Sequence, residues 1–346
     1  MITACILGCS GPVLTVEEAA FFRDARPWGF ILFRRNVETP DQVRRLVDDL
    51  RATVGREDAP VLIDQEGGRV RRLRPPHWPD YPPARAYGQA ASDPVVRREL
   101  TRLGARLMAH DLRALGINVD CVPVLDVPQP GAHDIIGDRA YAEDAATIAS
   151  LGRAAAEGLL AGGVLPVIKH IPGHGRAMAD SHHDLPVVDA PREDLERVDF
   201  APFRANTDMP MAMTAHVIFS AIDRKRPATT SRKVLKAVRR DIGFDGLLVT
   251  DDLSMKALSG TFEERAREAR RAGCDVVVHC NGDMAEMTAV VDGAGALKGR
   301  SRRRAEAALA RIVRDPEPLD LDWARARFAE TFAGARAAPG PAAGEA

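Results

Sequence analysis

The stretch from Val164 to Pro186 reads VLPVIKHIPGHGRAMADSHHDLP. It opens on an apolar run, Val164–Ile168, short and uninterrupted enough for a strand buried on both faces. From Lys169 to Pro186 the chain turns polar. Pro172 lacks an N–H, and Gly173 and Gly175 cost backbone entropy, so regular structure is not expected there. The prediction is a long loop hanging from the C-terminal end of a strand. Four of the nine histidines (His170, His174, His182, His183) and two aspartates (Asp180, Asp184) fall within this loop.

Three readings compete for it. A polar surface loop rich in histidine by chance is the plainest. A metal site would use the i,i+4 pair His170 and His174, but that spacing needs a helix, and Pro172 and Gly173 lie between them. Acid/base chemistry would use Asp180 and His182, which lie two apart and point to one side of an extended chain, so the carboxylate can tune the imidazole.

Working outward, the same grammar recurs. An apolar run at the start of the chain is followed by GFILF at 29–33, PVLID at 60–64, VDCVPV at 119–124, MAMTAH at 211–216, GLLVT at 246–250 and Asp275–Val278. Helical spacing fills the intervals: 16–26, 40–51, 94–115, 143–161, 192–203, 231–240, 262–272, 283–297 and 301–314. Eight short strands alternating with helices predict an α/β protein, a single (β/α)8 TIM-type barrel, and no GxGxxG follows the first strand to favour a dinucleotide fold. The barrel is expected over 1–314, with a short C-terminal helical extension over 315–346. The Ala/Gly/Pro-rich end, 337–346, is expected to be disordered.

Composition narrows the function. Formal net charge is -1, with 48 basic and 49 acidic residues, so no basic field invites nucleic acid. The five cysteines are scattered without a CxxC pair, so neither a zinc knuckle nor a disulfide framework is expected. Ile6-Leu7-Gly8-Cys9 has the look of a lipoprotein cleavage box. Only eight residues, none basic, precede Cys9, so a first core strand is expected instead. No apolar run reaches about 18 residues, so no transmembrane helix is expected, and the cytoplasm is the default compartment.

In a (β/α)8 barrel the strand C-termini converge on one mouth, and Asp64, Arg139, Lys169, His216 and Asp251 all lie at or just past such ends. Taken singly, each is a cap or a surface ion pair. Together they suit hydrolysis of a polar substrate. Asp251 is the candidate nucleophile because it ends a buried strand, with Asp252 pointing the other way. The usual second carboxylate has no counterpart, and the Asp180–His182 pair can supply the proton.

The motifs GFILFRRN, DQEGGRVRRL, IGDRAY, KHIPGHG…DSHHDLP and VTDDLSM, in that order across roughly residues 1–300, resemble the bacterial β-N-acetylglucosaminidases of glycoside hydrolase family 3. The resemblance implies a retaining exo-β-N-acetylglucosaminidase, a β-N-acetylhexosaminidase, whose nucleophile is Asp251. It implies His182 as acid/base with Asp180 orienting it. It puts sugar binding on Asp64, Arg72, Arg139, Lys169 and His170. It implies no metal and no cofactor, a muropeptide-type substrate ending in N-acetylglucosamine, and a role in peptidoglycan recycling. Two departures stand out. The family's Asp-Thr pair after PGHG is Arg176-Ala177 here, which bears on the loop or the aglycone contacts. Arg34-Arg35 is more basic than usual and points to an acidic aglycone.

The alternatives are a substrate-assisted hexosaminidase, in which the 2-acetamido oxygen attacks, a metal-dependent barrel hydrolase, and a non-catalytic sugar-binding barrel. A monomer is expected, since one barrel supplies every candidate residue.

Overall fold

The computed structural model describes residues 1–178, 181 and 185–333. Eight parallel strands close into a barrel: β1 Thr3–Leu7, β2 Pro27–Leu32, β3 Val61–Ile63, β4 Val119–Asp120, β5 Leu165–Ile171, β6 Met211–Thr214, β7 Leu247–Asp252 and β8 Val276–His279. Each pairs with the next in chain order, and β8 closes on β1 through Cys5↔Val277, Ile6↔Val278 and Leu7↔His279.

Strand side chains alternate between two faces, and here both faces are buried. Ile6, Trp28, Leu62, Val119, Val167, Met211, Val249 and Val276 fill the barrel interior. Their neighbours Cys5, Ile63, Ile168, Ala212, Leu248 and Val277 point outward into the layer under the helices. All five cysteines are buried free thiols, as small core residues.

The helices carry local signals that agree with this arrangement. Pro40–Val54 starts with Thr39, whose hydroxyl accepts from the Gln42 amide, has proline in its first turn, and stops at Gly55 with φ 60°. Its Val43, Leu46, Val47, Leu50 and Val54 recur at helical spacing and are buried against the sheet. Among the described residues no helix is long and apolar enough to cross a membrane.

Several boundaries differ from the sequence expectation, with physical reasons. β5 runs on through Ile171, so Lys169 and His170 belong to the strand and not to the loop after it. β4 is regular only over Val119–Asp120; Pro123 in VDCVPV has no N–H to donate, and beyond Asp120 contact with β5 continues irregularly, the Val122 and Pro123 carbonyls accepting from Val167 and Lys169 and Val124 bridging Lys169. The helix expected over 192–203 is split into Arg192–Asp194, a π turn Leu195–Asp199 and Ala201–Arg204. A helix Leu321–Phe332 follows the barrel and packs Phe328 and Phe332 against Tyr81 and Tyr87. The end expected to be disordered, 337–346, lies outside the described residues.

Candidate active site

The loop after β3, Asp64–Leu73, is folded back on itself by Gln65. The Gln65 side chain accepts from the amides of Arg72 and Leu73, both at 3.0 Å, and donates to the Leu73 carbonyl at 3.1 Å. Gly67 makes the bend: its φ is +93°, and a Cβ there would lie 2.3 Å from the Pro82 carbonyl oxygen. The fold-back returns Arg72 to the start of the loop, where its guanidinium sits 3.3 Å from Asp64.

At the barrel mouth these charges meet others from β5 and the β4 loop. The Lys169 ammonium donates to Asp64 at 2.8 Å and contacts Glu66 at 2.7 Å, with only 2% of the lysine side chain exposed. Arg139 presents a two-pronged guanidinium to Glu66, Nε and Nη2 each at 2.9 Å. Burial alone would raise both carboxyl groups. The Lys169 and Arg72 cations hold Asp64 far below the usual carboxylate range, and Arg139 with Lys169 bring Glu66 down to about 2. Burial likewise works against Lys169, but Asp64 and Glu66 outweigh it and keep the ammonium charged. The result is a desolvated, ionised lattice of fixed donors and acceptors, suited to a ligand rich in hydroxyl groups.

Beside it, Asp126 is fully buried and serves two histidines. Its Oδ2 accepts from His170 Nδ1 at 2.7 Å, and its Oδ1 accepts from the backbone amides of His170 at 3.2 Å and His174 at 2.6 Å. Because a carboxylate only accepts, His170 is protonated on Nδ1, and its other nitrogen is left for the cleft it lines. Burial opposes ionisation of Asp126, but the neighbouring His170 and His174 favour the carboxylate and hold its pKa below the usual aspartate value. His174 is pushed down to about 4 by burial and by His170, so it is neutral near pH 7.

β7 ends in Asp251 and Asp252. Asp251 lines the same cleft as Asp64, Glu66, Arg139, Lys169 and His170. Asp252 is committed to holding the strand end: Oδ1 accepts from the amides of Ser254 at 3.0 Å and Cys280 at 3.2 Å, and Oδ2 accepts from the Ser254 hydroxyl. His216 sits behind them, fully buried, its Nε2 donating to the Asp252 carbonyl at 2.9 Å and its Nδ1 2.7 Å from the Thr229 hydroxyl.

The structure therefore gathers Asp64, Arg72, Arg139, Lys169, His170 and Asp251 around one cleft. Asp180 and His182 lie outside the described residues. Arg176, one of the two departures after PGHG, donates from Nε to the buried carboxylate of Asp199 at 2.7 Å and so ties the loop stem to the π turn. Sequence reasoning passed over Glu66 and Asp126. Each carried a readable signal: Glu66 follows Asp64 by two in the loop after β3, and Asp126 is one more carboxylate just past a strand.

A closed parallel barrel whose mouth holds a strand-end carboxylate facing a buried lattice of acids and bases defines a barrel hydrolase for polar, hydroxyl-rich substrates. The chain belongs to glycosyl hydrolase family 3: residues 16–314 match the model described as the family's N terminal domain. A protein from Methylococcus capsulatus named Beta-hexosaminidase is 36% identical over 323 residues, covering 91% of this chain and 95% of that protein. The glycoside hydrolase family 3 β-N-acetylglucosaminidase from a Paenibacillus species superposes with a TM-score of 0.83 at 32% identity, covering 95% of this chain and 67% of that one. NagZ from Neisseria gonorrhoeae in complex with N-trifluoroacetyl-D-glucosamine gives a TM-score of 0.82 at 29% identity, covering 95% and 98%.

Proposed function

We propose that this chain, a glycoside hydrolase of the β-N-acetylhexosaminidase type, is a retaining exo-β-N-acetylglucosaminidase working through a covalent glycosyl-aspartate. Asp251 is the nucleophile, His182 the general acid/base, and Asp180 the group that orients His182. Asp64, Arg72, Arg139, Lys169 and His170 hold the terminal sugar. The observation that carries the reading is the position of Asp251 at the C-terminal end of the strand β7, lining one cleft with Lys169, Glu66 and Arg139.

In the first step a carboxylate oxygen of Asp251 bonds to the anomeric carbon as the glycosidic C–O bond breaks. The departing oxygen takes a proton from His182. In the second, His182 takes a proton from water, whose oxygen attacks the same carbon and releases Asp251. Histidine suits the role, with an ordinary pKa of about 6.5, and adds no second anion beside the nucleophile. A substrate-assisted route would ask a second carboxylate to steady the acetamido group. Asp252 does not fit that task, since both its oxygens are engaged by Ser254 and Cys280.

The ligand of the Neisseria protein, an N-acylated glucosamine, agrees with an N-acetylglucosamine-terminated saccharide as substrate. Muropeptide fragments, a place in peptidoglycan recycling, a cytoplasmic setting and action as a monomer belong to the same proposal. The test is trapping: a slow 5-fluoro N-acetylglucosaminyl donor should add one sugar mass, mapped by peptide sequencing to Asp251. Inhibition without a mass change, or a label elsewhere, counts against the assignment.

A further inference from the structure

Ser181 stands between Asp180 and His182 in the chain, and two contacts fix it. Its hydroxyl is 3.2 Å from His174 Nε2, and its carbonyl accepts from the Ala257 amide at 3.3 Å. Ser181 is 3% exposed and lines the cleft, as does His174, which is equally buried. His174 is itself held rigidly. Its amide donates to Asp126 at 2.6 Å, its carbonyl accepts from Ala177 at 3.1 Å, and its ring meets His170 edge-on at 5.8 Å between centroids.

The stem of the loop is equally constrained. The Gln129 amide donates to the Gly175 carbonyl at 3.0 Å, and the His133 amide to the Ala177 carbonyl at 2.9 Å. Thus the β4 loop and the stem of the β5 loop are joined as one unit, and His174 projects from it as a fixed post. A hydrogen bond to a post of this kind adds orientation because the partner's own rotamer is already settled.

We propose that His174 and Ser181 are positioning residues for the acid/base step: the His174–Ser181 hydrogen bond and the Ala257–Ser181 contact fix the point of the chain to which Asp180 and His182 are attached. Neither side chain is asked to exchange a proton with substrate. The inference rests on the assignment of the acid/base role to His182. It explains why the loop carries a buried histidine, His174, that does not itself carry out the proposed chemistry. It also ties the loop to β7, since Ala257 follows the strand that bears Asp251.

The experiment compares Ser181→Ala and Ser181→Thr on two N-acetylglucosaminides, one with a good aryl leaving group and one with a poor alkyl or sugar leaving group. Proton donation matters little for the first and much for the second. Ser181→Ala is expected to lower kcat/KM about tenfold on the poor leaving group, the scale of one hydrogen bond, and less than about threefold on the good one. Ser181→Thr keeps the hydroxyl and should restore most of the loss. His174→Gln should behave like the wild type more closely than His174→Phe, whose folding is checked by thermal unfolding. In a His182→Ala background, Ser181→Ala should cost nothing further, because the group it positions is gone.

Equal loss on both leaving groups, no loss on either, or an undiminished tenfold cost in the His182→Ala background would overturn the positioning role while leaving the functional reading intact. A His182→Ala enzyme with no leaving-group dependence of its own would instead remove the acid/base assignment, and the positioning role with it.

Discussion

The Lys169 ammonium lies 2.7 Å from Glu66, a residue whose side chain is 5% exposed, and the same Glu66 is gripped by Arg139 through two parallel bonds. One carboxylate thus sets both the point charge of a lysine and the plane of an arginine. Glu66→Gln keeps the volume and one acceptor but removes the charge. It is expected to lower kcat/KM by about ten- to a hundredfold, mainly through KM, and to lower Tm, because two buried cations lose their counter-charge. Arg139→Lys should also lose activity, since an ammonium cannot reproduce the two-pronged geometry. Steady-state kinetics with thermal unfolding on each variant checks this, and wild-type kinetics in Glu66→Gln would remove Glu66 from the site.

Asp251 and Asp252 are neighbours with different work, and their variants should separate. Asp251→Ala is expected to lose several orders of magnitude in kcat with Tm little changed, since the proposed nucleophile faces the cleft and does not support the core. Asp252→Asn should instead lower Tm along with a smaller fall in kcat, because three donors from Ser254 and Cys280 lose a charged acceptor. The reverse pattern of Tm values would show that the strand end is held differently.

Arg176 and Asp199 form a buried pair whose worth depends on pH. Burial pushes the Asp199 carboxyl up to about 6, against the pull of Arg176. Below that value Asp199 holds a proton and needs no cation; above it the carboxylate is charged and depends on Arg176. Arg176→Ala should therefore cost more stability at pH 8 than at pH 5, by about 1–3 kcal/mol. Urea unfolding at the two pH values measures the difference, and a cost independent of pH would sink the argument.

His174 and Asp199 act on stability in opposite directions as pH changes. His174 is about 4 in the folded chain against an ordinary value of about 6.5, so its contribution is whole above about 6.5 and is lost as pH falls toward 4. Asp199 is raised, so its contribution is present below the ordinary aspartate value of about 3.9 and is lost as pH rises through about 6. The two offset one another between about pH 4 and 6. Asp199→Asn removes one side, and its stability should rise more steeply with pH over this window than that of the wild type. A flatter profile in the variant would contradict the raised Asp199 assignment.

Gly175 is needed for contact and not for an unusual dihedral angle. A Cβ there would stand 2.0 Å from the Val127 carbonyl oxygen, where the β4 loop presses on the β5 stem. Gly175→Ala should force the two loops apart, weaken the Gln129–Gly175 bond and reduce kcat more than it reduces Tm. Hydrogen exchange at the Gln129 amide reports the separation directly, and an unchanged exchange rate would mean the loops absorb the methyl group.

The alternation of short apolar runs with helical spacing determined the barrel by itself, because burial on both faces makes each strand a near-continuous apolar run with its polar residues gathered at the ends, and that shows in one dimension. The strand-end positions of Asp64, Lys169 and Asp251 were legible for the same reason. The partners were not. Glu66 meets Lys169 across 103 positions of chain, Asp126 meets His174 across 48, and Arg176 meets Asp199 across 23, the last on a π turn where a plain helix was expected. Local periodicity carries no information about which loops the closed barrel brings side by side. Nor could composition show that Asp252 is spent on Ser254 and Cys280 while Asp251 faces the cleft; that distinction follows from the path of the chain after β7 and its hydrogen bonds to the end of β8. The sequence determined the wall of the barrel and several charges at its mouth, and tertiary closure alone decided how those charges are paired.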